Sequence, residues 1–247
     1  ATYCSATNPM SGSSSSTTKR SRRFLFPRWA NFALPVIIVA VLGGATYVPA
    51  VITYGFSSYA TDIGYAPIQP IAYSHALHAG QLGIDCRYCH TTVEQAGFAA
   101  IPPTQTCMNC HTNVRSNSDK LKTLVESWGT GKPVEWVKVH DLPDYAYFNH
   151  SAHVNSGIGC VSCHGRVDTM EVVFQAERLS MSWCLDCHRN PEKHLRPRDQ
   201  VTNMSYAPQQ LEGETPEAAQ LRVGNELKQK YRIHDETYMT SCSTCHR

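Results

Sequence analysis

Charge is scarce in this 247-residue chain, in which Asp, Glu, Lys and Arg together make up 17% of the residues. The formal net charge is +2, and residues 1–30 hold five of the 22 basic residues without any acidic residue. The remaining chain therefore carries 17 basic against 20 acidic residues. Because a nucleic-acid-binding surface needs a basic excess, this part of the chain is not expected to bind nucleic acid.

Charged residues are missing altogether between Arg28 and Asp62. About 20 apolar residues span a bilayer, and the apolar run at residues 32–56 is longer than the roughly 7 to 15 residues of a cleaved signal peptide. We therefore predict a single transmembrane helix at residues 30–56. The basic residues before this helix place the N-terminus in the cytoplasm by the positive-inside rule. Residues 57–247 would then form a periplasmic domain on a bacterial inner membrane.

The residues before the helix are expected to be a disordered cytoplasmic tail, residues 1–29. This tail contains the low-complexity stretch SGSSSSTT, which has no apolar residues with which to build a core. It also holds Cys4, for which the sequence predicts no role.

Cysteine, in contrast, is abundant, with 11 residues in the chain. Ten of them form five C-x-x-C pairs, each followed directly by histidine. In a C-x-x-C-H segment the two cysteines form thioethers to a c-type haem, and the histidine is the proximal ligand of the iron. The sequence therefore predicts five haem c groups. We name the segments hooks 1 to 5 in chain order: Cys86/Cys89/His90, Cys107/Cys110/His111, Cys160/Cys163/His164, Cys184/Cys187/His188 and Cys242/Cys245/His246.

Other uses of paired cysteines fit this pattern less well. One isolated copy could be half of a zinc site or a redox dithiol. Neither of these requires histidine at the same offset in every copy. A framework of disulfide bonds does not predict that offset either.

The segments before hooks 1 and 3 resemble each other, since both contain aromatic-x-His-x-x-His: YSHALH at residues 73–78 and FNHSAH at 148–153. Each is followed by two hooks, so residues 73–111 and 148–188 form two repeated two-haem modules. Histidines three residues apart on a helix diverge, and therefore suit two adjacent haems rather than one iron. We predict these four histidines as distal iron ligands: His75, His78, His150 and His153.

The fifth distal ligand is left open between His140 and Met181, with His194 and His234 as weaker candidates. Three further methionines stay open as well: Met170, Met204 and Met239. A thioether ligand from Met181 would raise the potential of its haem relative to a second imidazole. If every iron has two axial ligands, none has a position open to a substrate. No C-x-x-C-K segment occurs, although such a segment often marks the open haem of multihaem nitrite reductases. We therefore expect no catalytic residue and no substrate site in this chain.

The fold class follows from how little chain is available for each cofactor. After residue 62 there are only about 37 residues per hook, which is too few for a core of side chains around each haem. We expect mostly coil with short α-helices around five haems, and no folding without them. Longer helices are predicted at residues 118–128, between Ser118 and Gly129, and after Thr215-Pro216-Glu217.

Five segments carry a resemblance to a known family: GYAPIQPIAYSHALHAGQLGIDCRYCH, IPPTQTCMNCH, VHDLPDYAYFNHSAH, MSWCLDCHRNPEKHLRP and the terminal CSTCHR. Together they resemble the pentahaem cytochrome c subunit of bacterial alternative complex III, and the resemblance covers nearly everything after residue 30. It implies an electron-transfer subunit of a quinol:electron-acceptor oxidoreductase.

The resemblance also implies partners and ligand assignments. Quinol would be oxidised in partner subunits, including an iron–sulfur protein and multi-helix quinol-binding membrane subunits. This chain and a monohaem cytochrome c would pass the electrons to a periplasmic carrier or a terminal oxidase. Both modules are similar to class III multihaem cytochromes, which implies that His75 ligates the haem at Cys86 and His150 the haem at Cys160. The alternative is a self-sufficient, membrane-anchored multihaem quinol dehydrogenase that feeds a periplasmic reductase.

Overall fold

The computed structural model describes residues 27, 29–57 and 60–246. The expected disordered tail, with its serine-rich stretch and Cys4, lies outside the described residues. The chain divides into two units, the first ending at Val51 and the second beginning at Ile52.

The first unit contains helix α1, Ala30–Gly55, whose last turn extends past the boundary between the units. The helix has no charged side chain, and none of its residues is buried. Pro35 and Pro49 lie within it, and the Thr46 hydroxyl donates to the Leu42 carbonyl at 3.1 Å. A helix that is apolar on all sides needs an apolar environment on all sides. Among the described residues, α1 is the helix long and apolar enough to cross a membrane.

The second unit consists of short helices joined by long irregular segments. A π-helical turn spans Ala76–Gln81, and no strand is present in the described ranges, where an isolated bridge joins Ile158 to Leu195. This agrees with the expected coil and short helices. The α-helices are α2 (Cys86–Cys89), α3 (Thr104–His111), α4 (Lys122–Thr130), α5 (His150–Asn155), α6 (Val161–His164), α7 (Met181–Arg189), α8 (Pro216–Lys230), α9 (Glu236–Met239) and α10 (Cys242–Cys245), with 3-10 turns at Asp119–Leu121, Val167–Thr169, Pro191–Lys193 and Arg198–Gln200.

Both longer helices predicted from the sequence are present. The first is the turn Asp119–Leu121 continued by α4, and it ends at Gly131, two residues beyond the predicted Gly129. Gly131 has φ +72°, a left-handed conformation that glycine adopts easily at a helix end. The second is α8, where the Thr215 side chain accepts a hydrogen bond from the Ala218 amide at 3.2 Å.

Few side chains of the described chain are buried. Ile71, Met108 and Leu124 form one small cluster. A close-packed interior needs many more contacting apolar groups, so the helices enclose space instead of filling it. The buried apolar residues are Ile71, Met108, Leu124, Met170, Leu195, Val201, Ala219 and Leu227.

Close approach of two backbones holds α8 against the turn Pro191–Lys193. Gly224 of α8 faces the Glu192 carbonyl so closely that a Cβ atom there would collide with it. Gln220 donates to the same carbonyl at 3.0 Å, and the Lys228 Nζ lies 3.0 Å from the Glu192 carboxylate. A glycine is therefore required at position 224 for packing rather than for a turn.

We expect Gly224→Ala to lower the thermal unfolding midpoint of the haem-loaded protein, because overpacking typically costs about 1–3 kcal/mol. Gly129→Ala is the matched control, since it is also helical but has no atom within 4 Å of the added Cβ. The free energy of unfolding of that variant should rise by about 0.4–1 kcal/mol, because alanine makes the unfolded chain less flexible. Circular dichroism melting in detergent compares the two, and equal midpoints would contradict the packing described for α8.

Candidate haem-binding sites

Each hook lies on a short helical turn. Residues four apart on such a turn share a face, which brings the cysteines and the histidine of one hook together. In hook 1 the Asp85 carboxylate caps α2 by accepting from the Arg87 amide at 2.8 Å. In hooks 1, 3 and 5 the amide of the histidine donates to the carbonyl of the first cysteine at 2.9–3.0 Å.

The ten hook cysteines are all free of disulfide bonds. No three His, Cys, Asp or Glu side chains converge in the described part of the chain as a zinc site would require. The thiols are therefore available for thioether bonds, as c-type haem attachment demands.

Seven histidines have Nδ1 within hydrogen-bond distance of a backbone carbonyl. Because a carbonyl can only accept, Nδ1 must carry the proton, and Nε2 keeps the lone pair that binds a metal. Such a hydrogen bond fixes the ring and makes it a better ligand. The pairs are His78–Ser74 (2.8 Å), His90–Ala100 (2.9 Å), His111–Val114 (2.9 Å), His150–Gly97 (2.9 Å), His153–Asn149 (2.7 Å), His188–Met239 (2.9 Å) and His246–Tyr145 (2.9 Å).

Three of the predicted distal histidines face the histidine of a hook. Metal–nitrogen bonds are about 2 Å long, and a ring nitrogen lies about 1 Å from the ring centroid, so two imidazoles sharing one iron have centroids about 6 Å apart. The three observed separations match this value, and each leaves room for one iron between the rings. They are His78–His111 at 6.3 Å, His150–His164 at 6.4 Å and His153–His188 at 6.1 Å.

The fourth predicted distal histidine, His75, lies beside hook 1. Burial, and after it the neighbouring His90 imidazole, lower the pKa of His75 to about 4. Burial also lowers the pKa of His164 to about 3 and that of His153 below its usual range. These rings are therefore neutral at pH 7, which is the form that binds iron.

The aromatic residue of each H-x-x-H segment positions both of its histidines, a contact that sequence reasoning missed. Tyr73 stacks on His78 at 4.5 Å and meets the first histidine of its segment edge-on at 4.8 Å. Phe148 stacks on His153 at 4.5 Å and again meets the first histidine edge-on at 4.8 Å. The repeat shows an aromatic residue at this offset in both segments, which could have suggested the contact.

A cavity of about 1390 Å³ lies between hooks 4 and 5, and cysteines and histidines of both hooks line it. Pockets for one drug-sized ligand are typically about 300–1,000 Å³, so this cavity has space for more than one such group. Met181, which is 64% exposed, also lines the cavity, as do His194 and His234. His140 is not part of its lining.

His140 has different surroundings from the other histidines. Its ring centroid is 4.5 Å from that of His164, which is too short for an iron between them. Its Nε2 is buried and has no hydrogen-bond partner within the described ranges. The structure thus places His140 against hook 3, whose histidine already faces His150.

Comparison with known proteins agrees with this chemistry. The multiheme cytochrome c subunit of menaquinone reductase from Nitratidesulfovibrio vulgaris (strain Hildenborough) is 37% identical over 160 residues, which cover 56% of this chain and 74% of that protein. No family model matches the chain. The free cysteines, the oriented imidazoles and the open spaces between them all fit c-type haem.

The facing rings differ in orientation, which should be visible by electron paramagnetic resonance. The planes of His78 and His111 cross at 62°, whereas those of His150 and His164 lie within 13° of parallel. Crossed imidazole planes would leave two d orbitals of a bound ferric iron nearly degenerate. The low-spin ferric signal of such a site is more anisotropic than that of a site with parallel planes. We expect His78→Met to remove a strongly anisotropic component and His150→Met a more rhombic one. Loss of the same component in both variants would contradict the ring geometry.

Proposed function

Since the chain belongs to the multihaem cytochrome c family that includes the menaquinone reductase subunit, we propose that it is the electron-transfer subunit of a membrane quinol oxidoreductase complex. The main support is that three predicted distal histidines have ring centroids 6.1–6.4 Å from the ring centroid of a hook histidine. Bound haem supplies reversible one-electron chemistry at its iron. The chain contributes neutral, oriented imidazoles on both sides of that iron.

In this proposal the hook cysteines attach five haem c groups and the hook histidines are their proximal ligands. The distal ligands are His75 for hook 1, His78 for hook 2, His150 for hook 3 and His153 for hook 4. For hook 5 we favour Met181 over His140, because Met181 lines the cavity beside that hook. His194 and His234 line the same cavity and are the other candidates.

With two axial ligands at each iron, the chain needs no substrate site of its own. The substrate chemistry then belongs to partner subunits, and we assign no catalytic residue here. The chain's own tasks are to hold the imidazoles neutral and aligned, and to keep successive cofactors close together.

We further propose that α1 anchors the chain in the bacterial inner membrane as a single span. The apolar and unburied surface of α1 supports this, and so do the basic residues that precede it. The N-terminus would be cytoplasmic, and the haem domain from residue 57 would be periplasmic, where c-type haem is attached.

The proposed complex is alternative complex III, on the strength of the five quoted segments and the order of the five hooks. Its other subunits would be an iron–sulfur protein, multi-helix quinol-binding subunits and a monohaem cytochrome c. Electrons would leave to a periplasmic cytochrome or a terminal oxidase.

The relative's name favours a second candidate, in which the same relay delivers electrons towards menaquinone. The two candidates differ in the direction in which electrons flow, and this chain is the electron relay in both.

Intact-mass spectrometry of the denatured, haem-loaded chain tests the cofactor content. We expect a mass increase of five haem groups and a single thiol that reacts with an alkylating reagent, that of Cys4. The Cys4→Ser variant is the control, and the alkylating reagent should not modify it. Any other number of haems, or alkylation of a hook cysteine, would contradict the assignment of all five hooks.

Quinol reduction distinguishes a subunit from a self-sufficient quinol dehydrogenase. A soluble menaquinol analogue should reduce the haems in the intact complex but not those of the isolated chain in detergent, since the quinol site lies in partner subunits. Dithionite, which should reduce both preparations, is the control. Reduction of the isolated chain by quinol would favour the self-sufficient enzyme instead.

A further inference from the structure

Contacts between hooks define which haem sites are neighbours, beginning with hooks 1 and 2. Asn109, inside the C-x-x-C of hook 2, donates to the hydroxyl of Tyr88, inside that of hook 1, at 3.1 Å. His75 beside hook 1 and His78 facing hook 2 belong to one H-x-x-H segment. Hooks 1 and 2 are therefore adjacent.

Hook 1 also contacts hook 3, which is not its neighbour in the sequence. The contact runs through Val201 and Thr202, two successive residues that each bind one of these hooks. The Cys160 amide donates to the Val201 carbonyl at 3.1 Å, and the next residue, Thr202, donates to the Asp85 carboxylate that caps hook 1, also at 3.1 Å. The two modules thus join through their first hooks.

Hooks 3 and 4 are linked in the same way as hooks 1 and 2. His150 and His153 lie one turn apart on α5 and face the histidines of hooks 3 and 4 respectively. One helical turn therefore connects these two sites.

Hooks 4 and 5 share the large cavity and further contacts. Nδ1 of His188 in hook 4 donates to the carbonyl of Met239 in α9, just before hook 5, at 2.9 Å. The Tyr147 amide donates to the Cys245 carbonyl at 2.6 Å, which joins hook 5 to the segment that precedes His150 and His153. Hook 5 therefore extends the series beyond hook 4.

Exposure of the cysteines identifies the ends of this series independently. Of the ten hook cysteines, Cys110 of hook 2 and Cys242 of hook 5 are exposed, and the other eight are partly buried. Each end hook thus has one exposed cysteine, whereas the cysteines of hooks 1, 3 and 4 are all partly buried.

We propose that the hooks lie in the spatial order 2–1–3–4–5, so that electrons enter and leave the series at hooks 2 and 5. Haem bound at one end hook would accept one electron from a reduced iron–sulfur partner. Haem bound at the other end hook would give one electron to an oxidised cytochrome. Hook 1, although first in the chain, is internal. This proposal rests on the five-haem content proposed above.

Two matched labelling positions test this order in the full-length, haem-loaded chain. Val114 and Tyr145 are 55% and 70% exposed, and each gives its backbone carbonyl to the histidine of an end hook, hook 2 and hook 5 respectively. A photosensitiser attached to Val114→Cys or Tyr145→Cys, in a Cys4→Ser background, would inject one electron at a chosen end. The carbonyl contact is kept in both variants.

The substitutions His78→Met, His150→Met and His153→Met then serve as reporters for hooks 2, 3 and 4. Thioether ligation raises the potential and gives a ferric far-red band that bleaches when the electron arrives. From Val114→Cys we expect the His78→Met band to bleach first, with His150→Met and His153→Met each several-fold slower. From Tyr145→Cys the order should reverse. The same order from both ends would overturn the proposal.

A second measurement needs no variant, so it tests the order even if the substituted chains fail to take up haem. Electron cryo-microscopy of the unmodified complex gives the iron neighbours directly, and we expect the irons of hooks 2 and 5 to have one near neighbour each. Direct adjacency of hook 2 to hook 4 or hook 5 would overturn the order. A haem count other than five by mass would instead overturn the cofactor content, so the two failures are distinguishable.

Discussion

The separation of about 6 Å between facing imidazole rings is the constraint on which the rest of the structure depends. A haem iron held between two such imidazoles would require the rings to be kept apart and aligned instead of packed together. The chain achieves this by tying Nδ1 to backbone carbonyls and by stacking Tyr73 and Phe148 on ring faces. The Nδ1 bonds leave Nε2 without a backbone partner within the described chain, and the stacked rings fix the plane in which Nε2 lies.

Keeping that space open leaves the domain without an ordinary core. Few apolar side chains of the described residues are buried, and the cluster around Ile71, Met108 and Leu124 is small. Side chains alone therefore cannot supply the dispersion contacts of a close-packed interior. A large apolar macrocycle at each hook would supply them, which couples folding to cofactor attachment as in small metal domains.

Sequence reasoning succeeded where the chemistry is local and failed where distant segments meet. A hook or an H-x-x-H segment spans one turn, and the start of α8 is encoded by Thr215 and Pro216, so spacing alone predicts their geometry. The contacts of Gly97 with His150 and of Met239 with His188 join residues about fifty positions apart, and no periodicity encodes them. For the same reason the sequence could not rank Met181 and His140, which differ in whether they line the cavity of hook 5.

The way in which the two modules join determines which sites are internal. Joining hook 2 to hook 3 would have kept chain order and left hook 1 at an end. The contacts of Val201 and Thr202 join the first hooks instead, so the second hook of the first module remains outermost. Cys86 and Cys160 at this joint are both partly buried, whereas Cys110 of hook 2 is exposed. Because haem potentials depend on solvent exposure, less exposed internal sites and more exposed end sites are expected to differ in potential.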